Sequence, residues 1–198
     1  MNILVVAGDP SGDLHASHLI RHLRRGGARV AAVGGLLMSH EADEFLEDLA
    51  SRGVTGFWEP VGKLGFLLRL IMRLRRMLLE GRFDAVVCVD YYGFNRRVLG
   101  LAKTADVPAF YYISPQVWAS RPSRVAVLKR LVRKMLVIFP FEEKLYQEAG
   151  LPCRFVGHPL LDLVPKPLER PLAARPPLIG LLPGSRASEI AKHLPLLL

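Results

Sequence analysis

The sequence predicts an α/β fold, a doubly wound parallel sheet, followed by the beginning of a second domain of the same style. Three observations predict it. Six short apolar runs alternate with stretches of helical period; each run ends in a glycine or polar loop; and a proline-rich stretch interrupts the pattern before it resumes.

Taken in order, Ile3–Ala7 is a continuous β-branched run suited to a strand buried on both faces. It passes into Gly8-Asp9-Pro10-Ser11-Gly12-Asp13. Leu14–Arg25 has helical period, with Leu19, Ile20 and Leu23 on one face, and Gly26-Gly27 stops it. Arg29–Val33 is a second strand closed by Gly34-Gly35. The unit is β–glycine loop–α–β, and it lacks the G-x-G-x-x-G spacing of a nicotinamide dinucleotide site. The Gly8–Asp13 loop can cradle a sugar or phosphate, or it is a tight turn in which Ser11 or Asp13 caps the helix.

Leu36–Leu49 is polar and acidic and reads as one or two exposed helices. Gly53–Gly62 is a turn-rich loop carrying Phe57 and Trp58. Lys63–Arg82 reads as a helix with Arg69, Arg73 and Arg76 along one narrow face and apolar residues over most of the rest. A helix packed on one side of a sheet needs a narrower apolar stripe. Two readings stay open: a deeply buried helix with a solvated arginine ridge, or a helix in a membrane interface with arginines on lipid phosphates.

Asp84–Asp90 is a strand that delivers Asp90 to its C-terminal end, where open α/β sheets place ligands. Tyr91–Asn95 turns into a helix running to Lys103. Val107–Ile113 is a strand followed by Ser114-Pro115-Gln116-Val117-Trp118. Pro122–Arg133 is a basic helix, Met135–Phe139 a strand, Phe141–Ala149 a helix, and Cys153–Val156 a strand ending in Gly157-His158-Pro159. The domain expected over 1–160 gives way to a linker over 161–176, proline-rich and without periodicity. A second domain opens at 177 with the apolar run Leu178–Leu182 and the turn Pro183-Gly184-Ser185-Arg186 before a helix. The chain stops inside that helix at Leu198.

The 198 residues are 51% hydrophobic, enough for a packed core. Cys88 and Cys153 lie far apart in apolar runs, which suits a reducing compartment and offers no metal cluster. The apolar N-terminus is short and lacks a basic flank, so it reads as a strand, and no apolar run is long enough to span a membrane. The net charge of +9, with 20 arginines among 27 basic residues, calls for an anionic partner: nucleic acid, a membrane surface or a phosphorylated substrate. No nucleic-acid motif is present.

The chemistry-bearing loops all follow strands and so crowd one rim. At the second domain's first turn, Gly184 allows close backbone approach to an anion, Ser185 can cap and Arg186 can hold an oxyanion in bidentate fashion. The plain alternative is an ordinary capped turn with a surface arginine. Across a cleft, Asp90 opposite Arg186 fits a glycosyl transfer: a base takes the acceptor hydroxyl's proton while cationic groups stabilise the departing nucleotide diphosphate. Asp90 as a helix cap or loop anchor is the alternative. His158, before a proline, reads as a loop anchor.

These residues resemble the lipid-A-disaccharide synthase family, inverting glycosyltransferases of the two-domain GT-B fold, each domain Rossmann-like. Ala7–Asp13 is similar to the family's AGExSGD loop, with Asp9 in place of glutamate. Gly34-Gly35 and Met38 resemble its second glycine loop. Tyr112–Ala119 is similar to its YVSPxVWAW element, with Ser120 where a second tryptophan is usual and Arg121 and Arg124 in register. Phe139-Pro140-Phe141-Glu142, Gly157-His158-Pro159-Leu160 and Leu181–Ile190 also match. Asp90–Asn95 aligns with the DxPDFN element, with Tyr92 and Gly93 replacing its proline and second aspartate.

The resemblance implies transfer from UDP-2,3-diacylglucosamine to the 6-hydroxyl of 2,3-diacylglucosamine 1-phosphate, giving the β-1,6 disaccharide and UDP. It implies Asp90 and Arg186 as catalytic residues. Gly8, Ser11, Gly12, Asp13, Asn95, Ser114, Trp118, Gly184 and Ser185 are expected at the substrates. Trp58, Leu64, Leu67, Leu68, Arg69, Ile71, Arg73 and Arg76 are expected at an anionic inner-membrane surface of a Gram-negative bacterium, the protein being cytoplasmic and peripheral. No cofactor, metal or nucleic acid is implied, and a homodimer is allowed. The match covers about half the family's usual length, so the chain alone is expected to be inactive. Another GT-B transferase or a UDP-sugar 2-epimerase shares the fold but needs neither the apolar basic helix nor the Ser-Pro-x-Val-Trp element. A non-catalytic lipid- or membrane-binding fragment is the alternative from another class.

Overall fold

The computed structural model describes residues 1–51, 60–118, 123–165, 179–184 and 187–198. It divides into two units, Met1–Leu163 and Val164–Leu198. In the first, seven strands form one parallel sheet: β1 (Asn2–Ala7), β2 (Arg29–Gly34), β3 (Glu44–Asp48), β4 (Ala85–Val89), β5 (Ala109–Tyr112), β6 (Lys134–Val137) and β7 (Cys153–Phe155). Their order is β3-β2-β1-β4-β5-β6-β7. The chain runs outward from β1 in one direction and from β4 in the other, so the strand order reverses between β1 and β4. This is the crevice where open α/β sheets bind ligands.

Alternation along β1 explains the two cores. Leu4 and Val6 point to the layer made by α3 (Pro60–Leu79), α4 (Tyr92–Thr104), α5 (Ser123–Leu131) and α6 (Pro140–Glu148). Ile3, Val5 and Ala7 point the other way, to Ala16 and Ile20 of α1 (Pro10–Arg25) and Met38 of α2 (Leu36–Glu41). Burial on both faces is why the central strands read as unbroken apolar runs rather than alternating ones.

Two elements differ from the sequence reading. The polar stretch expected to be helical through Leu49 is helix only to Glu41, and Glu44–Asp48 is the edge strand β3. Within β3 only Leu46 is buried; the acids around it stay at the sheet margin. Glu44 pairs with Arg82 at 2.9 Å, and Arg73 donates to the Leu46 carbonyl at 2.9 Å. Charged side chains on an edge strand discourage pairing with a further chain, and they also erase the apolar signature of a strand. Pairing with β2 here overrides local preference. The second difference is α1, which begins at Pro10. Asp9 caps it by accepting from Gly12 N–H at 2.8 Å, where Ser11 or Asp13 had been the candidates. Proline at the first helical position wastes no hydrogen bond.

In the second unit, residues 179–184 form no strand, although an apolar strand was expected from Leu178, itself outside the described residues. Ile179 and Leu182 are exposed, and a lone strand has no ladder to satisfy its backbone. The helix α7 (Ala187–Leu197) follows. The rest of the expected linker, from 166, lies outside the described residues.

Candidate active site

The strand order reversal brings the loop after β1 beside the loop after β4. Asp90 leaves β4 with φ 45° and Tyr91 follows with φ 44°. Left-handed backbone is tolerable for aspartate but costly for a bulky ring, and costs of roughly 1–3 kcal/mol are typical of such positions. The surroundings hold the conformation. Asp90 N–H donates to the Tyr112 carbonyl at 3.0 Å. Its carbonyl accepts from the Tyr111 hydroxyl at 2.6 Å and from Asn95 Nδ2 at 2.7 Å. Ile113, at the end of β5, also has a positive φ, 60°. Three of the four described non-glycine residues with positive φ therefore sit on one rim, which is where function concentrates such strain.

The bent backbone leaves the Asp90 side chain half-buried at the crevice. Burial raises its carboxyl above the ordinary carboxylate range; the Asp9 carboxylate nearby adds to this and the Tyr91 amide opposes it. A carboxylate made more basic in this way is better suited to accept a proton near neutral pH.

The glycines of the first loop fit their neighbours. A Cβ on Gly8 would lie 2.0 Å from Tyr91 Cδ1, so the ring covers this backbone. One on Gly12 would lie 2.6 Å from Asp9 Oδ1. Ser11 is exposed in the first turn of α1. Asp13, expected at a substrate, is buried, and its carboxylate accepts from the N–H groups of Gly35 at 2.8 Å and of Leu37 and Met38 at 3.0 Å each. It thus caps α2, whose own N-cap is a glycine without a side chain.

Asn95 is wholly buried and spends its amide on the Val89 and Asp90 carbonyls. Ser114 is buried too, and its hydroxyl donates to Glu142 Oε1 at 2.6 Å. Both build the rim from beneath. Trp118 stands on the surface, half exposed, edge-on to Phe141 with ring centroids 5.4 Å apart. Phe141 stacks on Phe139, which touches the His158 ring at 5.5 Å. His158 Nδ1 accepts from Leu160 N–H at 3.2 Å, the loop anchor expected of it. Arg124 lies over the Tyr92 ring at 4.4 Å.

In the sequence, Asp9, Phe141 and Glu142 stand only as parts of matching motifs and Tyr111 only as part of a strand; none of the four is assigned there the role the structure shows. Asp9 had a signal, an aspartate directly before a helix-opening proline. The other three owe their places to packing between distant segments.

On α3, Leu70, Leu74, Met77 and Leu78 are buried, and Leu67 and Ile71 pack partly against the same core. Leu64, Leu68 and Met72 are more than half exposed, beside the exposed Arg69, Arg73 and Arg76. The helix therefore has a core face and a separate greasy, basic outer face, which accounts for its wide apolar arc. No helix among the described residues is long and apolar enough to cross a membrane. Phe57, Trp58, Ala119, Ser120, Arg121, Ser185 and Arg186 lie outside the described residues. In the second unit, Gly184 has φ 109°, and the Glu189 carboxylate would lie 2.8 Å from a Cβ there, so both backbone and space demand glycine. His193 Nδ1 lies 2.9 Å from the Pro183 carbonyl oxygen.

Residues 3–198 match the family model described as lipid-A-disaccharide synthetase. The lipid-A-disaccharide synthase of Trichlorobacter lovleyi is 40% identical over 205 residues, covering 99% of this chain and 54% of its own. That of Myxococcus xanthus is 40% identical over 202 residues, covering 98% and 53%. The chain thus spans about half the length of the curated relatives it matches. Among solved structures, UDP-GlcNAc 2-epimerase from Neisseria meningitidis superposes with a TM-score of 0.55 at 11% identity, over 77% of this chain and 44% of that one. At that identity the likeness concerns the Rossmann-like α/β fold alone.

Proposed function

The chain belongs to the lipid-A-disaccharide synthetase family, and from that premise we propose that it supplies the acceptor-side half of a UDP-sugar glycosyltransferase of lipid A biosynthesis. The donor is UDP-2,3-diacylglucosamine and the acceptor 2,3-diacylglucosamine 1-phosphate. Asp90 takes the proton from the acceptor's 6-hydroxyl as that oxygen attacks the anomeric carbon. The bond to UDP breaks in the same displacement, which inverts the carbon and gives the β-1,6 disaccharide. Arg186, with Gly184 and Ser185, stabilises the diphosphate as it leaves. Trp118 and the exposed loop at Ser11 flank the acceptor, while Gly8, Gly12, Asp13, Asn95 and Ser114 shape the rim that holds it. The outer face of α3, with Leu64, Leu68 and its arginines, rests on an anionic membrane surface from which diacylated substrates are drawn.

The observation that carries this reading is Asp90: a half-buried carboxylate with raised basicity, on a backbone held in a costly conformation, at the point where the strand order reverses. The test is a chain of the family's full length bearing these residues, given both substrates with the donor sugar labelled. Labelled β-1,6 disaccharide and UDP are expected, with turnover lost in Asp90→Asn. An Asp90→Asn enzyme within a few-fold of the parent removes Asp90 from the mechanism. Epimerised UDP-sugar formed without acceptor would favour the 2-epimerase alternative.

A further inference from the structure

The charge of this protein is not spread evenly. Residues 92–134 hold nine of its 27 basic residues and one of its 18 acids, so this stretch alone carries +8 of the net +9. Around β3 and the end of α1, cations meet acids: Arg21 with Glu41, Arg24 with Asp43, Arg82 with Glu44. Among the described residues of the 92–134 stretch no ion pair is formed. Arg96, Arg97 and Lys103 of α4 and Arg130 of α5 are all exposed. None of the four is ion-paired among the described residues.

These four side chains line one groove between α4 and α5, a cavity of about 680 Å³. Gly93 and Gly100, one α4 face apart by seven residues, form part of its wall, and open space lies above each. A second cavity of about 460 Å³ continues past Lys103 and Arg130 to Lys129 and Arg133, with Asp106 as its one acid. Holding so many like charges together is unfavourable without counter-charge, and the groove has room for it.

We propose that the α4–α5 groove is a binding site for the phosphate headgroups of an anionic lipid bilayer. It rests on the membrane reading of α3 given above, and adds to it a second, purely polar point of attachment. Continuity favours lipid over other polyanions: α4 packs beside α3, whose outer face carries exposed Leu64, Leu68 and Met72. One helical layer thus presents an apolar edge and a basic groove side by side, the pairing that a bilayer's acyl and phosphate levels require. No aromatic ring lines the groove to stack on a nucleic-acid base.

The test is partitioning of the protein onto vesicles of phosphatidylcholine with and without phosphatidylglycerol. Two variants are used, Arg96→Gln with Arg130→Gln, and separately Lys103→Gln with Arg133→Gln, each checked for the parent's circular dichroism. Each basic residue near an anionic surface contributes roughly fivefold in binding. Each pair should therefore lower partitioning onto phosphatidylglycerol vesicles about 25-fold and leave partitioning onto phosphatidylcholine unchanged. Inorganic phosphate in millimolar excess should compete only as its ionic strength does. If both pairs bind as the parent does while Leu64→Ser with Leu68→Ser releases the protein, the groove is refuted and the α3 reading stands. A parent that ignores all vesicles refutes both. Tight saturable binding of inorganic phosphate, or of an RNA or DNA duplex in preference to vesicles, also overturns the proposal.

Discussion

Replacing Asp13 separates two roles for one residue, a substrate contact and a structural cap. Its carboxylate holds three N–H groups, of Gly35, Leu37 and Met38, at 2.8–3.0 Å. In Asp13→Ala two of these donors, on Gly35 and Met38, are left in buried surroundings, and each unmet buried donor costs about 1–3 kcal/mol. Leu37 N–H is only partly buried and recovers a bond to water. The expected loss is roughly 4 kcal/mol, a large share of the roughly 5–15 kcal/mol that holds a domain folded. For a unit of this size, Met1–Leu163, about 3 °C is lost per kcal/mol, so Tm should fall by roughly 12 °C. Asp13→Asn keeps an acceptor for Gly35 and Met38 but turns an amide N–H towards Leu37, and should lose about half as much. Thermal unfolding measures both, and hydrogen exchange at 35, 37 and 38 localises the effect. An Asp13→Ala protein with Tm within about 2 °C of the parent and those amides still protected would refute the capping argument and return Asp13 to the substrate.

Three further outcomes are expected. In a chain of the family's full length, Asp90→Asn should lower kcat by about 10²–10⁴ with KM little changed, because a base acts in the transition state. The same variant bears on stability. A carboxyl raised on folding favours the folded state while protonated, and that advantage is lost as pH climbs from the unfolded value, about 3.9, through the folded one. Asp90→Asn should therefore match the parent's Tm at acid pH and exceed it at neutral pH; the reverse trend would contradict the burial argument. Gly8→Ala should cost about 1–3 kcal/mol by driving a Cβ into the Tyr91 ring, and much less in a Tyr91→Ala background, as a double-mutant cycle in urea would report. Leu64→Ser with Leu68→Ser and Met72→Ser should release the protein from vesicles with its unfolding midpoint within about 1 kcal/mol, since all three are exposed. A large loss of cooperativity would make that face core.

Much of the fold was legible because central parallel strands are buried on both faces and so must be apolar throughout, as β1 and β4 are. The edge strand β3 was not, because an edge tolerates acids and its strand character comes from β2 rather than from its own residues. The site was legible in part. Asp90 could be placed at a strand end from sequence, and its resemblance to a family motif singled it out. That Asn95 and Ser114 face inward was hidden, since a polar residue in a loop motif looks the same whether it meets a ligand or Glu142.

By itself the sequence determined the alternation of buried strands and helices, the rim on which the loops gather, and the family. These follow from local periodicity and from motif order, both carried along the chain. Only the tertiary structure decided that Asp9 caps α1, that Asp13 caps α2, and that Tyr111 and Asn95 lock the backbone of Asp90. It alone divided α3 into a core face and an outer face, and gathered Arg96, Arg97, Lys103 and Arg130 into one groove. The reason is physical: which partner satisfies a polar group, and whether a charge is paired or left alone, depends on residues brought together from tens of positions apart.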